Sequence, residues 1–175
     1  MPGQAQAAVA IVLLPQGSHG PEMLFIKRAE FAGDPWSGHL ALPGGRRHPE
    51  DETLLATAIR ETAEEVGVRL TGSSVLGELD DLSPVSPHLP QVIVRPFVFG
   101  LPVRPEIITS DEVALHLWVS RDALLAARTS ELLPLFGGSR SMPGYRLGTH
   151  FIWGMTERII TPFLGLLHPG PVQPT

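Results

Sequence analysis

The chain has 175 residues, the size of one ordinary domain, and 43% of them are hydrophobic, which supplies a real core and excludes disorder for its bulk. A net charge of −5 argues against the basic face that broad nucleic-acid binding needs, and the absence of cysteine excludes a disulfide framework, a thiolate metal site and a cysteine nucleophile. No run approaches the roughly 20 apolar residues of a membrane helix, and Ala7 to Leu14 lacks the flanks of a secretory signal, so no membrane contact and a cytoplasmic setting are expected.

Residues 1–6 and 169–175 read as tails around one domain, 7–168. Ala7–Leu14 and Met23–Lys27 are rich in Val, Ile, Leu and Phe and flank a Pro/Gly turn, which predicts a hairpin. Further strands are expected over His39–Leu42, Ser74–Leu79, Gln91–Gly100, Val113–Val119 and Tyr145–Ile152. Thr53–Val66 repeats Leu55, Ala58, Ile59, Thr62 and Val66 at helical spacing, and Gly67 supplies a left-handed stop. Ser120 caps a short helix over Arg121–Arg128. Gly154–Leu167 predicts a third helix, with Pro162 forcing a kink or a restart in which Thr161 is the cap. Residues 129–144 take no assignment from periodicity. Strands and helices in mixed order indicate an α/β fold with a mixed sheet between helical layers.

The chemistry concentrates between Leu42 and Val68. On the expected helix, Glu61 and Glu65 point within about 40° of each other, with Glu64 about 60° to the other side. Like charges at this spacing weaken a helix unless a cation joins them. Hard divalent ions take oxygen ligands and bridge carboxylates to phosphates, so the cluster reads as a metal site. Upstream, Leu42-Pro43-Gly44-Gly45 offers an exposed-backbone loop, and Arg46-Arg47 follows it to meet an anion. Arg60 pairs with Glu52 or with the carboxylate cluster.

Glu52, seven residues, then Arg60-Glu61-Thr62-Ala63-Glu64-Glu65-Val66-Gly67-Val68 resembles the Nudix box, the signature of Nudix hydrolases. The resemblance has one departure, six residues rather than five between Gly45 and Glu52. Leu24 to Ala29 with Gly38 and Leu42 to Gly45 is similar to the motif that precedes the box in the coenzyme A diphosphatase branch. There the second arginine falls near Asp34, Leu42 replaces a phenylalanine, and the spacing is one residue longer. Asp111-Glu112-Val113, Leu117-Trp118-Val119 and Ile152 to Thr156 look like that branch too.

The resemblance implies an α/β/α sandwich with a mixed central sheet and a loop-helix-loop catalytic motif. It implies hydrolysis of a nucleoside-linked diphosphate with Mg²⁺ or Mn²⁺. Glu61 and Glu65 are then the primary ligands, with Glu64 bound directly or through water, and Glu52 and Gly67 shape the box. Glu61 or Glu112 is the general base. Arg28, Arg46 and Arg47 bind phosphates, Trp36 stacks on adenine or lines the entry, and Gly44 and Gly45 orient the loop. The expected partner is a small nucleotide, coenzyme A first, or alternatively a nucleoside triphosphate, nucleotide sugar or dinucleotide. A nucleotide-binding regulator without turnover is a third reading. Nudix proteins often dimerise, so a homodimer is one expected state.

Overall fold

The computed structural model describes residues 4–15, 18–33 and 37–167. Strand β1 (Ala5–Leu14) sits at the middle of the main sheet and begins inside the expected tail 1–6. Its side chains alternate between faces: Ala8, Ala10 and Val12 enter one buried cluster, Ile11 and Leu13 the other. Along one edge it runs parallel to β6 (Val92–Gly100), from Ala5 opposite Val92 to Leu13 opposite Gly100. Its other edge is shared. Leu13 and Leu14 pair with the start of β2 (Glu22–Arg28), closing the expected hairpin, while Ala7 to Val9 pair with β4 (Gly44–Arg46). Gly44 and Gly45, expected in a loop, are therefore strand residues. The Ala10 N–H donates to Pro43 O at 2.8 Å, so the segment before β4 fills the gap where β1 and β2 part.

β2 also pairs with β3 (Leu40–Ala41) and, along its length, with β7 (Val113–Ser120). β5 (Val75–Glu78) lies against β6, completing a mixed seven-stranded sheet. Helix α1 (Leu54–Val66) covers one face, burying Leu54, Ala58 and Val66 against Ala8, Leu24 and Phe97. The Thr53 side chain accepts from the Ala56 N–H, and Gly67, at φ 72°, donates its N–H to Ala63 O. Buried residues of α1 include Thr57, Thr62 and Glu65, whereas Leu55 and Ile59 are only half-buried, so its packed stripe turns toward the carboxylates.

The opposite face is covered by α2 (Arg121–Ala127), α3 (Gly154–Leu166) and a second sheet of β8 (Arg128–Leu135), β9 (Gly138–Leu147) and β10 (His150–Trp153). Two expectations are corrected here. Residues 129–144 form a long hairpin, β8 with most of β9, and the single strand expected over Tyr145–Ile152 is divided by a turn at Gly148, φ 59°. α3 passes through Pro162 without restarting: Ile159, Ile160, Phe163 and Leu164 are buried on both sides of the proline and hold the helix on the core. Thr161 caps nothing; its hydroxyl donates to Glu157 one turn back at 2.7 Å.

Candidate active site

Two bare glycines let the carboxylates of α1 lie on the backbone of β4. A Cβ on Gly44, whose φ is +152°, would stand 2.3 Å from Ala8 O. A Cβ on Gly45 would stand 2.5 Å from Glu61 Cδ, in the space that carboxylate occupies. Glu65 is 3% exposed, and its Oε2 accepts the Gly44 N–H at 2.8 Å. Glu64 reaches outward, and Glu112 enters from the turn before β7.

Arg60 is the clamp of the cluster. Its Nη1 donates to Glu61 Oε1 at 2.8 Å and to Glu64 Oε2 at 3.0 Å. Its Nε and Nη2 donate to Asp51 Oδ1 at 3.0 Å and Oδ2 at 2.8 Å, a bidentate pair. Asp51, 7% exposed, also accepts the His48 N–H and the Thr57 hydroxyl. Of the two partners expected for Arg60, the carboxylate cluster is the one it engages; Glu52 is exposed, and only its backbone carbonyl is engaged, by Arg47. The extra residue between Gly45 and Glu52 moves the carboxylate that faces Arg60 one position earlier, to Asp51. Sequence spacing missed it because the pattern points at Glu52.

Arg47 is likewise put to a different use from the phosphate binding expected of it. Its guanidinium donates to Asp51 O, to Glu52 O and, at 3.0 Å, to Gln6 Oε1, tying the loop to β1. Arg28 and Arg46 border the cleft described below. Trp36 and Asp34 lie outside the described residues.

The electrostatics follow from this packing. Burial pushes the Glu65 carboxyl up to about 8; the Gly44 N–H and Arg28 oppose the rise, and Glu61 and Glu112 add to it. Burial also raises Glu61, against its bond from Arg60. The Arg60 hydrogen bonds hold Asp51 far below the usual carboxylate range. Glu61 and Glu112 thus disfavour the charge of Glu65, and Arg60 spends two of its donors on Asp51.

A cleft of about 1520 Å³ opens over these groups. Glu61, Glu65, Glu112, Arg28 and Arg46 line one part of it. The remainder is mostly apolar, walled by the 84–90 loop, the β8–β9 hairpin and the first turn of α3, with Val85, Leu89, Leu133, Met142 and Met155 among its residues. At the hairpin tip Phe136 lies against His88, ring centres 5.0 Å apart, so hairpin and loop meet. This wall escaped sequence analysis because residues 129–144 carry prolines and glycines in place of a clean alternation.

Among the described residues no three His, Asp or Glu side chains already converge on one point as metal ligands do. What fits a hard divalent cation is the donor set: carboxylate oxygens only, one of them buried with its charge disfavoured, beside a second that a cation would relieve.

The family model described as NUDIX domain matches residues 4–136. The chain belongs to the Nudix family. As a Nudix hydrolase it acts on pyrophosphate bonds, in substrates in which a diphosphate links a nucleoside to another group. The Nudix motif is the strand-turn-helix of β4 and α1, and the second sheet's β9 and β10 and all of α3 lie beyond the matched segment. Among curated relatives, the human mitochondrial coenzyme A diphosphatase NUDT8 is 33% identical over 98% of this chain and 74% of its own length. The uncharacterized protein C14C4.10c of Schizosaccharomyces pombe is 39% identical over 56% of this chain, which spans only 31% of that protein's length. Among solved structures, a Francisella tularensis bifunctional NMN adenylyltransferase/ADP ribose pyrophosphatase, complexed with AMP and a Mn ion, superposes with a TM-score of 0.63 at 19% identity, covering 95% of this chain and 42% of that one. That likeness supports the α/β sandwich fold.

Proposed function

We propose that the protein is a metal-dependent coenzyme A diphosphatase, cleaving coenzyme A or its thioesters to 3′,5′-ADP and (acyl-)4′-phosphopantetheine. The observation that carries the reading is the make-up of the cleft: carboxylates and arginines line one part of it, and the rest of its lining is mostly apolar. A substrate with an extended neutral arm on one side of its diphosphate fits that division better than a compact triphosphate. The similarity to NUDT8 along nearly the whole chain supports the same reading.

Glu61 and Glu65, joined by Glu64, would hold Mg²⁺ or Mn²⁺, and the bound metal supplies charge neutralisation at the diphosphate oxygens and an acidified water. Arg60 keeps one oxygen of Glu61 and one of Glu64 turned away, leaving the others for the cation. Arg28 and Arg46 meet the phosphate oxygens from the cleft wall. Glu112, which makes no side-chain hydrogen bond or ion pair among the described residues, takes the proton of the attacking water. The water oxygen bonds to phosphorus, the P–O–P bridge breaks, and the bridging oxygen leaves with the second phosphate.

A second reading, hydrolysis of nucleoside triphosphates, nucleotide sugars or dinucleotides, is favoured by the departures at Asp34 and Leu42. Incubation with coenzyme A and Mg²⁺, then Mn²⁺, followed by mass spectrometry separates the two. Formation of 4′-phosphopantetheine with 3′,5′-ADP supports the first, and intact coenzyme A with cleaved nucleotide sugars supports the second. No turnover of any of these would favour a regulator. No helix among the described residues is long and apolar enough to cross a membrane. A cytoplasmic homodimer remains our working proposal beside a relative named mitochondrial, and fractionation and sedimentation test it.

A further inference from the structure

The wall of the cleft formed by α3 contains a buried carboxyl group that the diphosphate chemistry does not use. Glu157, in the first turn of α3, borders the cleft and is 8% exposed. No arginine, lysine or histidine among the described residues forms an ion pair with it, and its one side-chain partner is Thr161, whose hydroxyl donates to Oε1 at 2.7 Å. Thr161 Oγ1 also lies 2.6 Å from the Tyr145 hydroxyl. A threonine has one hydroxyl proton, so giving it to Glu157 makes Tyr145 the donor to Thr161. The relay Tyr145 to Thr161 to Glu157 pins one carboxylate oxygen from the core, where Tyr145 is 1% exposed. Among the described residues no donor is bonded to Oε2.

The same helix turn offers donors. Trp153, at the N-cap of α3, gives no side-chain cap, so the first-turn N–H groups have no partner inside the helix. Gly154, Met155 and Thr156 border the cleft beside Glu157. An unengaged carboxylate oxygen next to unengaged N–H groups is complementary to a secondary amide, which presents one N–H and one C=O. A ligand lacking the amide would cover these groups without pairing them, which is what makes such a site discriminating.

We propose that the first turn of α3 is an amide-reading subsite, in which Glu157 Oε2 accepts an N–H and the uncapped backbone N–H groups donate to the C=O of an amide in the substrate's non-nucleoside arm. The subsite rests on the coenzyme A reading, since the pantetheine arm of that substrate carries secondary amides. Tyr145 and Thr161 are positioning residues for Glu157.

The test is product inhibition of coenzyme A hydrolysis in wild type, Glu157→Leu, Glu157→Gln and Thr161→Val, with folding checked by thermal melts. In Glu157→Leu the inhibition constant of 4′-phosphopantetheine rises roughly tenfold, as does KM for coenzyme A, while that of 3′,5′-ADP, which has no amide arm, stays at the wild-type value. Thr161→Val gives a smaller rise of the same selectivity, and Glu157→Gln, which keeps an acceptor oxygen, falls between wild type and Glu157→Leu. Equal weakening of both inhibitors, or no change in either, in folded Glu157→Leu and Glu157→Gln overturns the subsite. A wild-type enzyme that leaves coenzyme A intact overturns the coenzyme A reading itself, and the subsite with it.

Discussion

Helices α1 and α3 are both 13 residues long and pack on opposite faces of one sheet, yet they are finished differently. α1 has a side-chain cap at Thr53 and a left-handed stop at Gly67, and the carboxylates we propose as metal ligands stand in its middle and last turns, two of them clamped by Arg60 from the helix itself. α3 has no side-chain N-cap, contains Pro162, and ends on Leu167 without a left-handed residue. Its one buried carboxylate stands in its first turn and accepts from Thr161 one turn on, whose own hydroxyl lies 2.6 Å from that of Tyr145 on β9. A helix completed by its own neighbours in sequence presents charge in a set geometry. The first turn of α3, which no side chain caps, is where the proposed subsite lies.

The contrast breaks most severely at Glu65. Glu65→Gln keeps an acceptor for the Gly44 N–H, so the fold is expected to persist while steady-state turnover drops by orders of magnitude; full activity in a folded variant would remove Glu65 from the site. The paired glycines come next. Gly44→Ala drives a Cβ into the backbone of β1 and should cost about 3 kcal/mol or more in denaturant unfolding. Gly45→Ala meets only the movable end of Glu61, so it should unfold near wild type while kcat falls.

Asp51→Ala leaves Arg60 partly buried without its bidentate partner and is expected to cost about 3 kcal/mol, whereas exposed Glu52→Ala should stay within about 0.5 kcal/mol. Equal effects would return Glu52 to the role that spacing suggests for it. The pH profile sharpens the same distinction. Because Glu65 titrates near 8 when folded and near its ordinary 4.5 when unfolded, the native metal-free protein binds the extra proton between those values. Its stability should therefore fall as pH rises from about 4.5 to 8, and Glu65→Gln should flatten that slope in thermal melts. Asp51 works in the opposite sense, with its contribution lost only as pH falls below the ordinary carboxylate range. Between the losses at Asp51 and Glu52 falls Thr53→Ala, about 1 kcal/mol from one lost cap.

α1, its stop and the three glutamates were legible because each depends on residues a few positions apart: helical periodicity, Gly67 and the clustered charges all lie between 53 and 67. Strands β1, β2, β6 and β7 were legible as apolar runs. Asp51 was not, since which of two adjacent acids faces Arg60 depends on the path of the loop that Arg47 fastens to Gln6, 41 residues away. The β8–β9 hairpin was not, because its strands are exposed along most of their length and show no buried alternation.

The sequence by itself determined the two-faced sheet strands, the helix with its glycine stop and the carboxylate signature, because local propensity and periodic burial act over a few residues. Only the tertiary structure decided which acid clamps Arg60, that Gly44 and Gly45 join β1 as a strand, and that the 84–90 loop, the hairpin and α3 close the far wall of the cleft. Those outcomes depend on pairing and packing between segments distant in the chain, where the burial of one side chain is set by whichever surface arrives to cover it.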